Sequence, residues 1–286
     1  MLTKKDILQC EDFNYFQYLQ KNPIHKTLGL ELNERSFEKK FYPPNFSVDE
    51  NNIIPFPAEL DDLTRLHRIA TTRKVTTILE FGVGMSTIIF ADAIDKNLKY
   101  KKYMENNLRR NNLFECHSID INNSWINECK KKIPDYLYDK GICKIHLCPL
   151  NTGLFNDRLC TYYENIPNIS PDLIYLDAPD QFSPIGEIRG LSTKHPDRMP
   201  MAADILTIEH FLQPGTLIIV DGRTANARFL KVNLQREWAY FHCSEWEQHF
   251  FELQESPLGI YNKRMIDFCL GDDFYKRLNI SSFDTN

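Results

Sequence analysis

Glu80, Gly82, Gly84 and Ser86 alternate within Thr76-Thr77-Ile78-Leu79-Glu80-Phe81-Gly82-Val83-Gly84-Met85-Ser86-Thr87, an apolar run that breaks into a glycine turn. Glycine lets a backbone turn sharply and approach a ligand where a Cβ would obstruct it. A helix opening behind that turn, with Ser86 able to cap it, points unpaired N–H groups at a polar ligand. The spacing begins the dinucleotide fingerprint G-x-G-x-x-G, but Thr87 stands where the third glycine belongs. Glu80 also argues against a dinucleotide, because a carboxylate at the strand end repels a pyrophosphate and suits a cationic amino-acid group.

Other acids close apolar runs in the same way. Asp120 ends Cys116-His117-Ser118-Ile119, Asp177 and Asp180 follow Leu173-Ile174-Tyr175-Leu176, and Asp221 and Arg223 follow Thr216-Leu217-Ile218-Ile219-Val220. An acid at the position of Asp120 can accept hydrogen bonds from both hydroxyls of a ribose. Asp177 and Asp221 would lie at neighbouring strand ends, within reach of one hard cation such as Mg²⁺, which prefers oxygen ligands and keeps several waters. Alternatively, Arg223 neutralises the two carboxylates as a structural ion pair. The stretch Phe182–Pro200 is long for a connection, and long loops are often functional. Within it His195 titrates near neutrality, as a general base would, or is merely exposed. Glu187 and Arg189 are candidate substrate contacts. Asp204 reads as a structural polar contact; Asn226 and Arg228 either orient a substrate or cap their helix.

The elements that must position these residues are strand-like runs separated by helical patterns. The runs are Thr76–Phe81, Glu115–Ile119, Cys143–Cys148, Asp172–Leu176 and Thr216–Val220. Near-continuous apolar strands alternating with helices predict a parallel sheet covered on both faces. In such a sheet ligands lie beyond the carboxyl ends of the strands. Thr224–Arg236 reads as a helix, and Ala239–Cys243 with His249–Leu253 as a closing antiparallel pair. A helix over Ala58–Ala70 would cover one edge of the pocket. Residues 1–56 read as an N-terminal extension of short helices and loops, serving as a lid or a dimer contact. Residues 57–255 form the ligand-binding domain, and 256–286 a C-terminal tail. The basic stretch Lys96–Arg110 reads as a solvated helical insertion, with a patch for acidic or phosphorylated substrates as the alternative.

The pattern Glu80-x-Gly82-x-Gly84-x-Ser86 resembles motif I of the class I S-adenosylmethionine (SAM) methyltransferases. That resemblance implies an α/β fold: a Rossmann-like, seven-stranded, mostly parallel sheet with helices on both faces. It further implies that Glu80, Gly82, Gly84, Met85 and Ser86 hold the methionine part of SAM and Asp120 its ribose. Leu150 and Asn151 would border the adenine, although the usual acid is missing there. Amino methyltransferases acting on DNA carry an acid or amide, two prolines and an aromatic after the fourth strand. Here Asp177-Ala178-Pro179-Asp180 lacks the second proline and the aromatic, so base methylation is disfavoured. The pattern is closer to small-molecule and sugar O-methyltransferases. In that reading Asp177, with Asp221 or His195, manages the acceptor, while Asp180, Glu187, Arg189 and Arg223 contact it. Catechol-type enzymes have Asp-Asn where this chain has Asp221-Gly222, which weakens the case for Mg²⁺. The implied reaction is O-methylation of a small polar acceptor such as a sugar or secondary metabolite. A nicotinamide-dependent oxidoreductase and a non-catalytic SAM-fold binding module are the alternatives.

Composition narrows the partners. The 286 residues are 42% hydrophobic and 12% aromatic, ample for a packed core. A net charge of −5 provides no global basic field for nucleic acid. No apolar stretch approaches the length of a membrane span, and no signal-peptide core follows Met1. The eight cysteines include no C-x-x-C pair, and Cys143 and Cys148 read as buried free thiols. A reduced, cytoplasmic protein is the expectation, with homo-oligomerisation left open.

Overall fold

A computed structural model describes residues 2–33, 36–37, 59–108 and 110–278 of the chain. The strands are β1 (Thr77–Phe81), β2 (Glu115–Asp120), β3 (Cys143–Leu147), β4 (Leu150–Phe155), β5 (Arg158–Tyr163), β6 (Leu173–Leu176), β7 (Leu217–Asp221), β8 (Trp238–Cys243) and β9 (Gln248–Leu253). Seven of them form one sheet in the order β3-β2-β1-β6-β7-β9-β8. The strands β3, β2, β1, β6 and β7 run parallel, and β9 and β8 close the edge antiparallel. This is the mostly parallel α/β sheet with a terminal antiparallel pair that the sequence predicts.

Alternate residues of each strand enter different cores, because successive side chains point to opposite faces. Ile78, Cys116, Leu173, Tyr175 and Ile219 pack on one face. Leu79, Phe81, Ile174, Leu176 and Ile218 pack on the other. Both faces are therefore buried, which is why the strands read as continuous apolar runs. The chain order reverses between β1 and β6. Glu80, Asp120, Asp177 and Asp221 consequently reach the same carboxyl-end edge of the sheet, where an open α/β fold places its ligands.

The hairpin β4–β5 was not anticipated: Leu150–Phe155 pairs with Arg158–Tyr163 outside the main sheet. Its turn is Asn156-Asp157, both with positive φ (47° and 61°). Asn and Asp tolerate that conformation, and it suits a two-residue hairpin loop. The long stretch after β6 is laced to this hairpin at both ends. Ile185 N–H donates to the Leu150 carbonyl at 2.7 Å, and Thr161 N–H donates to the Met201 carbonyl at 2.9 Å.

Asn226 holds the far end of that stretch. It is fully buried, accepts from Ala202 N–H at 2.8 Å and donates to the Ala202 carbonyl at 3.1 Å. This is a structural clamp, not the substrate contact or helix cap considered from sequence. Asn226→Ala strands both buried peptide groups and is expected to cost about 2 kcal/mol. Urea unfolding should show the midpoint fall with an unchanged slope.

The flanking segments pack onto the domain. Ile7 and Leu8 of the helix Lys4–Leu8 join a core beneath the sheet. Tyr18 Oη lies 2.7 Å from Nδ1 of His67 on the helix Leu60–Thr72. After residue 255 the chain forms the helices Ile260–Cys269 and Asp272–Arg277. Arg277 pairs with buried Glu252 of β9 at 2.9 Å, and Arg73 pairs with the same carboxylate at 2.8 Å. The basic stretch is a short 3₁₀ turn, Leu98–Tyr100, followed by the helix Lys101–Asn107. Met104 anchors that helix in the core, while Lys101 and Lys102 face solvent. Arg109 lies outside the described residues, as do residues 34–35 and 38–58 of the N-terminal extension and the start of the helix expected over Ala58–Ala70. All eight cysteines are unpaired, and seven, including Cys143 and Cys148, are buried. Among the described residues, no helix is long and apolar enough to cross a membrane.

Candidate functional site

The glycine loop connects β1 to the helix Met85–Asn97. Gly82 has φ +109°, and a Cβ there would meet the Ala178 Cβ at 3.1 Å, so both backbone and packing require glycine. Gly84 is different. Its φ of −168° is ordinary extended backbone, and an added Cβ would meet only Ser86 Oγ, at 4.0 Å. The protein's own packing leaves space over Gly84, which is what close approach of a ligand needs. Gly84 is also the N-cap, so Ser86 lies inside the first turn and does not cap the helix as the sequence suggests.

Thr87, the residue that breaks the dinucleotide fingerprint, organises this loop. Its hydroxyl accepts from Gly84 N–H at 3.1 Å and donates to Glu80 Oε2 at 2.6 Å. Ser118 of β2 donates to the same oxygen at 2.5 Å. The other oxygen, Glu80 Oε1, is buried with no hydrogen-bond partner among the described residues, although the Ser86 hydroxyl is close enough to favour the carboxylate. Burial dominates its titration and pushes Glu80 up to about 7, against the hydroxyl hydrogen bonds that favour the carboxylate. A buried acceptor without a donor is costly to leave unmet. A cationic N–H donor fits it.

Asp120 fixes the loop from the second strand. Its carboxylate accepts from Val83 N–H at 3.0 Å and from Asn122 N–H at 2.9 Å. Burial raises its pKa, and the backbone hydrogen bonds oppose that shift. Two lone pairs in each carboxylate oxygen leave capacity to accept further hydroxyls. Leu150 is buried within the core below the hairpin, and Asn151 pairs with Tyr162 across it. Tyr163, overlooked in the sequence, stacks on Phe81 with ring centroids 5.8 Å apart. Its hydroxyl is buried without a partner.

A second group of carboxylates gathers at the ends of β6 and β7. Gln248 of β9 donates through its amide to Asp221 at 2.9 Å and also to Asp62 of the helix Leu60–Thr72. Asp62 in turn pairs with Arg65 at 3.1 Å. Burial and the neighbouring Asp221 hold Asp62 well above the ordinary carboxylate range. Burial raises Asp221 as well, against the Gln248 hydrogen bond. Asp177 retains 51% of its side-chain surface. It is raised by partial desolvation and by Asp221, with Arg223 opposing. Asp62 and Gln248 are invisible to motif reading because a helix and an antiparallel strand deliver them through space.

The other predicted contacts fall in different surroundings. Arg223 donates to the carbonyls of Asp177 and Pro179, and its Nε lies 3.7 Å from Asp177 Oδ1. It braces the turn as well as meeting its charge. Asp180 accepts from Phe182 N–H at 2.6 Å and Ser183 N–H at 3.0 Å, so its carboxylate is engaged within its own loop. Glu187 and Arg189 are exposed; Arg189, with φ 57°, sits in the tight turn between Ile188 and Leu191. His195 is half-exposed, and its Nδ1 accepts from Asp197 N–H at 3.1 Å. No hydrogen bond or ion pair among the described residues joins it to Asp177 or Asp221. Arg228 is exposed. Asp204 accepts from Tyr163 N–H at 2.9 Å, the structural role expected of it.

Among the described residues, no group of three or more His, Cys, Asp or Glu side chains is arranged to hold a metal ion. Asp177 and Asp221 are the two carboxylates Mg²⁺ would have, and Arg223 and Gln248 already meet their charge. The residues fit that ion poorly.

No family model matches the sequence, and no curated protein matches it. Solved structures do match in shape. An O-methyltransferase from Bacillus cereus in complex with SAH is 13% identical, with 87% of this chain and 94% of that chain covered and a TM-score of 0.36. A candidate O-methyltransferase from Klebsiella pneumoniae is 14% identical, with coverage of 85% and 91% and a TM-score of 0.35. Likenesses this remote leave the chemistry to be read from the site itself.

Proposed function

We propose that this chain is a SAM-dependent methyltransferase acting on an oxygen of a small polar acceptor, such as a sugar or secondary metabolite. The observation that carries the reading is the pairing of a partnerless, buried Glu80 Oε1 with the open space over Gly84. Together they suit an amino-acid group that brings a cationic donor and needs close backbone approach. Thr87 supports it, because its hydroxyl shapes the loop where a dinucleotide site would need a third glycine.

In this proposal Glu80 holds the amino group, and the N–H groups opening the helix Met85–Asn97 meet the carboxylate. Asp120 accepts the ribose hydroxyls, and the hairpin residues Leu150 and Asn151 border the adenine. When bound, SAM supplies an activated methyl on its sulfonium, so the protein's task is to orient the acceptor and remove its proton. Asp177 is the base. Its half-exposed side chain is accessible to an acceptor, and partial desolvation and repulsion from the neighbouring Asp221 raise its pKa. Asp221 and Glu80 keep that pKa up by repulsion, and Arg223, which opposes the shift, keeps the turn in place. His195 is the alternative base, reachable only if its loop brings it over Asp177.

Calorimetric titration of the ligand-free protein with SAM, its demethylated product and NAD(H) tests the reading. Micromolar binding of SAM without binding of NAD(H) is expected. NAD(H) binding, or no SAM binding by the folded protein, would overturn it. An acceptor screen with and without Mg²⁺ then tests the proton-removal step.

A further inference from the structure

A cavity of about 530 Å³ opens at the opposite end of the sheet from the glycine loop. Thr77, at the start of β1, and residues 168–170, ahead of β6, lie in its wall. β1 alone separates the two ends by about 15 Å, so this is not the acceptor site. The volume is that of an ordinary small-molecule site.

The lining mixes amide and hydroxyl side chains with apolar and aromatic ones. Arg110 is the one charged residue in it among the described residues. Its guanidinium, 6% exposed, is 3.2 Å from Asp172, which is 7% exposed and also accepts from Thr76 and Thr77 N–H. That charge is thus balanced within the fold, and no other charged side chain lines the cavity among the described residues. Around it stand Asn111, Asn168, Ser170 and Gln213, whose side chains make no hydrogen bond among the described residues. Tyr261 and Phe211 bring aromatic rings to the mouth, 48% and 79% exposed.

We infer that this cavity binds a neutral saccharide unit. Amide and hydroxyl side chains each pair a donor with an acceptor, as sugar hydroxyls do. An exposed aromatic ring can pack against the apolar C–H face of a pyranose, removing both surfaces from water. The polar side chains come from separate segments, at 110–112, 168–170 and 213, so donors and acceptors reach the cavity from more than one part of the chain, as a ring bearing several hydroxyls requires.

Saturation-transfer NMR on the full chain tests this. The probes are the methyl glycosides of glucose, galactose, mannose and N-acetylglucosamine, their trisaccharides, and adenosine, each at about 10 mM, a concentration that detects millimolar binding. Transfer to at least one sugar is expected, weakened at least tenfold in both Tyr261→Ala and Asn168→Ala. These side chains are exposed, and circular dichroism checks that both variants fold. The same binding should survive Gly84→Asp, which separates this site from the SAM cradle. Preference for a trisaccharide would identify a glycan chain as the ligand, and equal binding of the monosaccharide a free sugar. No transfer to any sugar, binding that persists in both variants, or transfer to adenosine alone would overturn the inference.

Discussion

The Gly84→Asp protein should fold like the parent and bind SAM about 100-fold more weakly, or not at all. The two halves of that result have separate causes. At φ −168° an aspartate backbone is unstrained, and the Cβ meets nothing closer than Ser86 Oγ at 4.0 Å. The melting temperature should therefore hardly move. In the proposed complex, however, the new carboxylate occupies the space left for the methionine part and repels that ligand's own carboxylate. Displacing a ligand by about 1 Å, or leaving one charged group unpaired, is worth about 3 kcal/mol, which is the 100-fold change. Gly84→Ala, adding a methyl without charge, should fall between the two. Gly82 is no substitute for this test: at φ +109°, with Ala178 at 3.1 Å, it is needed by the fold itself. Calorimetry on the folded variant reads the outcome, and undiminished affinity would remove the cofactor from this loop.

The parts of this molecule legible in its sequence are those whose cause is local. Thr77–Phe81 and Leu173–Leu176 read as strands because burial on both faces leaves no room for polar alternation. The glycine loop was legible because the turn demands glycine at Gly82, and at Gly84 the fold leaves space open above the backbone. Asp120 and Asp177 were legible as acids closing apolar runs. What depends on contacts across the chain was not. Gln248 is adjacent to nothing chemical in sequence, yet it joins Asp221 to Asp62, which arrives on a helix more than a hundred residues earlier. The hairpin escaped because the alternation in Leu150–Phe155 is weak, although Asn156-Asp157 carried a turn signal that alternation alone did not need. Asn226 was overread: it is a polar residue near a strand end, and only its hydrogen bonds to Ala202 reveal that the backbone already occupies it.

Glu80→Gln should move stability and binding in opposite directions, and pH should reveal why. Burial raises Glu80 from 4.5 to about 7, so the folded protein holds a proton that the unfolded chain releases between those values. Stability from this group is complete below pH 4.5, declines as pH rises through 7, and is then lower by about 3 kcal/mol. Glutamine never ionises and does not suffer that loss. It does place an unpartnered NH₂ where Oε1 stood, so the net gain at pH 8 should be about 2 kcal/mol, giving way to a loss of about 1 kcal/mol near pH 4. Urea midpoints at the two pH values measure it. For the ligand the sign reverses. A cationic amino group binds the carboxylate, so wild-type affinity for SAM should rise up to tenfold per pH unit below about 7 and level off above it. At pH 8 the glutamine variant should bind roughly 30-fold more weakly, by loss of one charged hydrogen bond, and its affinity should be flat across this range. A variant both more stable and pH-insensitive, yet poor at binding, is what a buried acid kept for a cationic ligand predicts. If wild-type affinity is itself flat through pH 7, Glu80 does not meet the amino group, and the open space over Gly84 must be explained by another ligand.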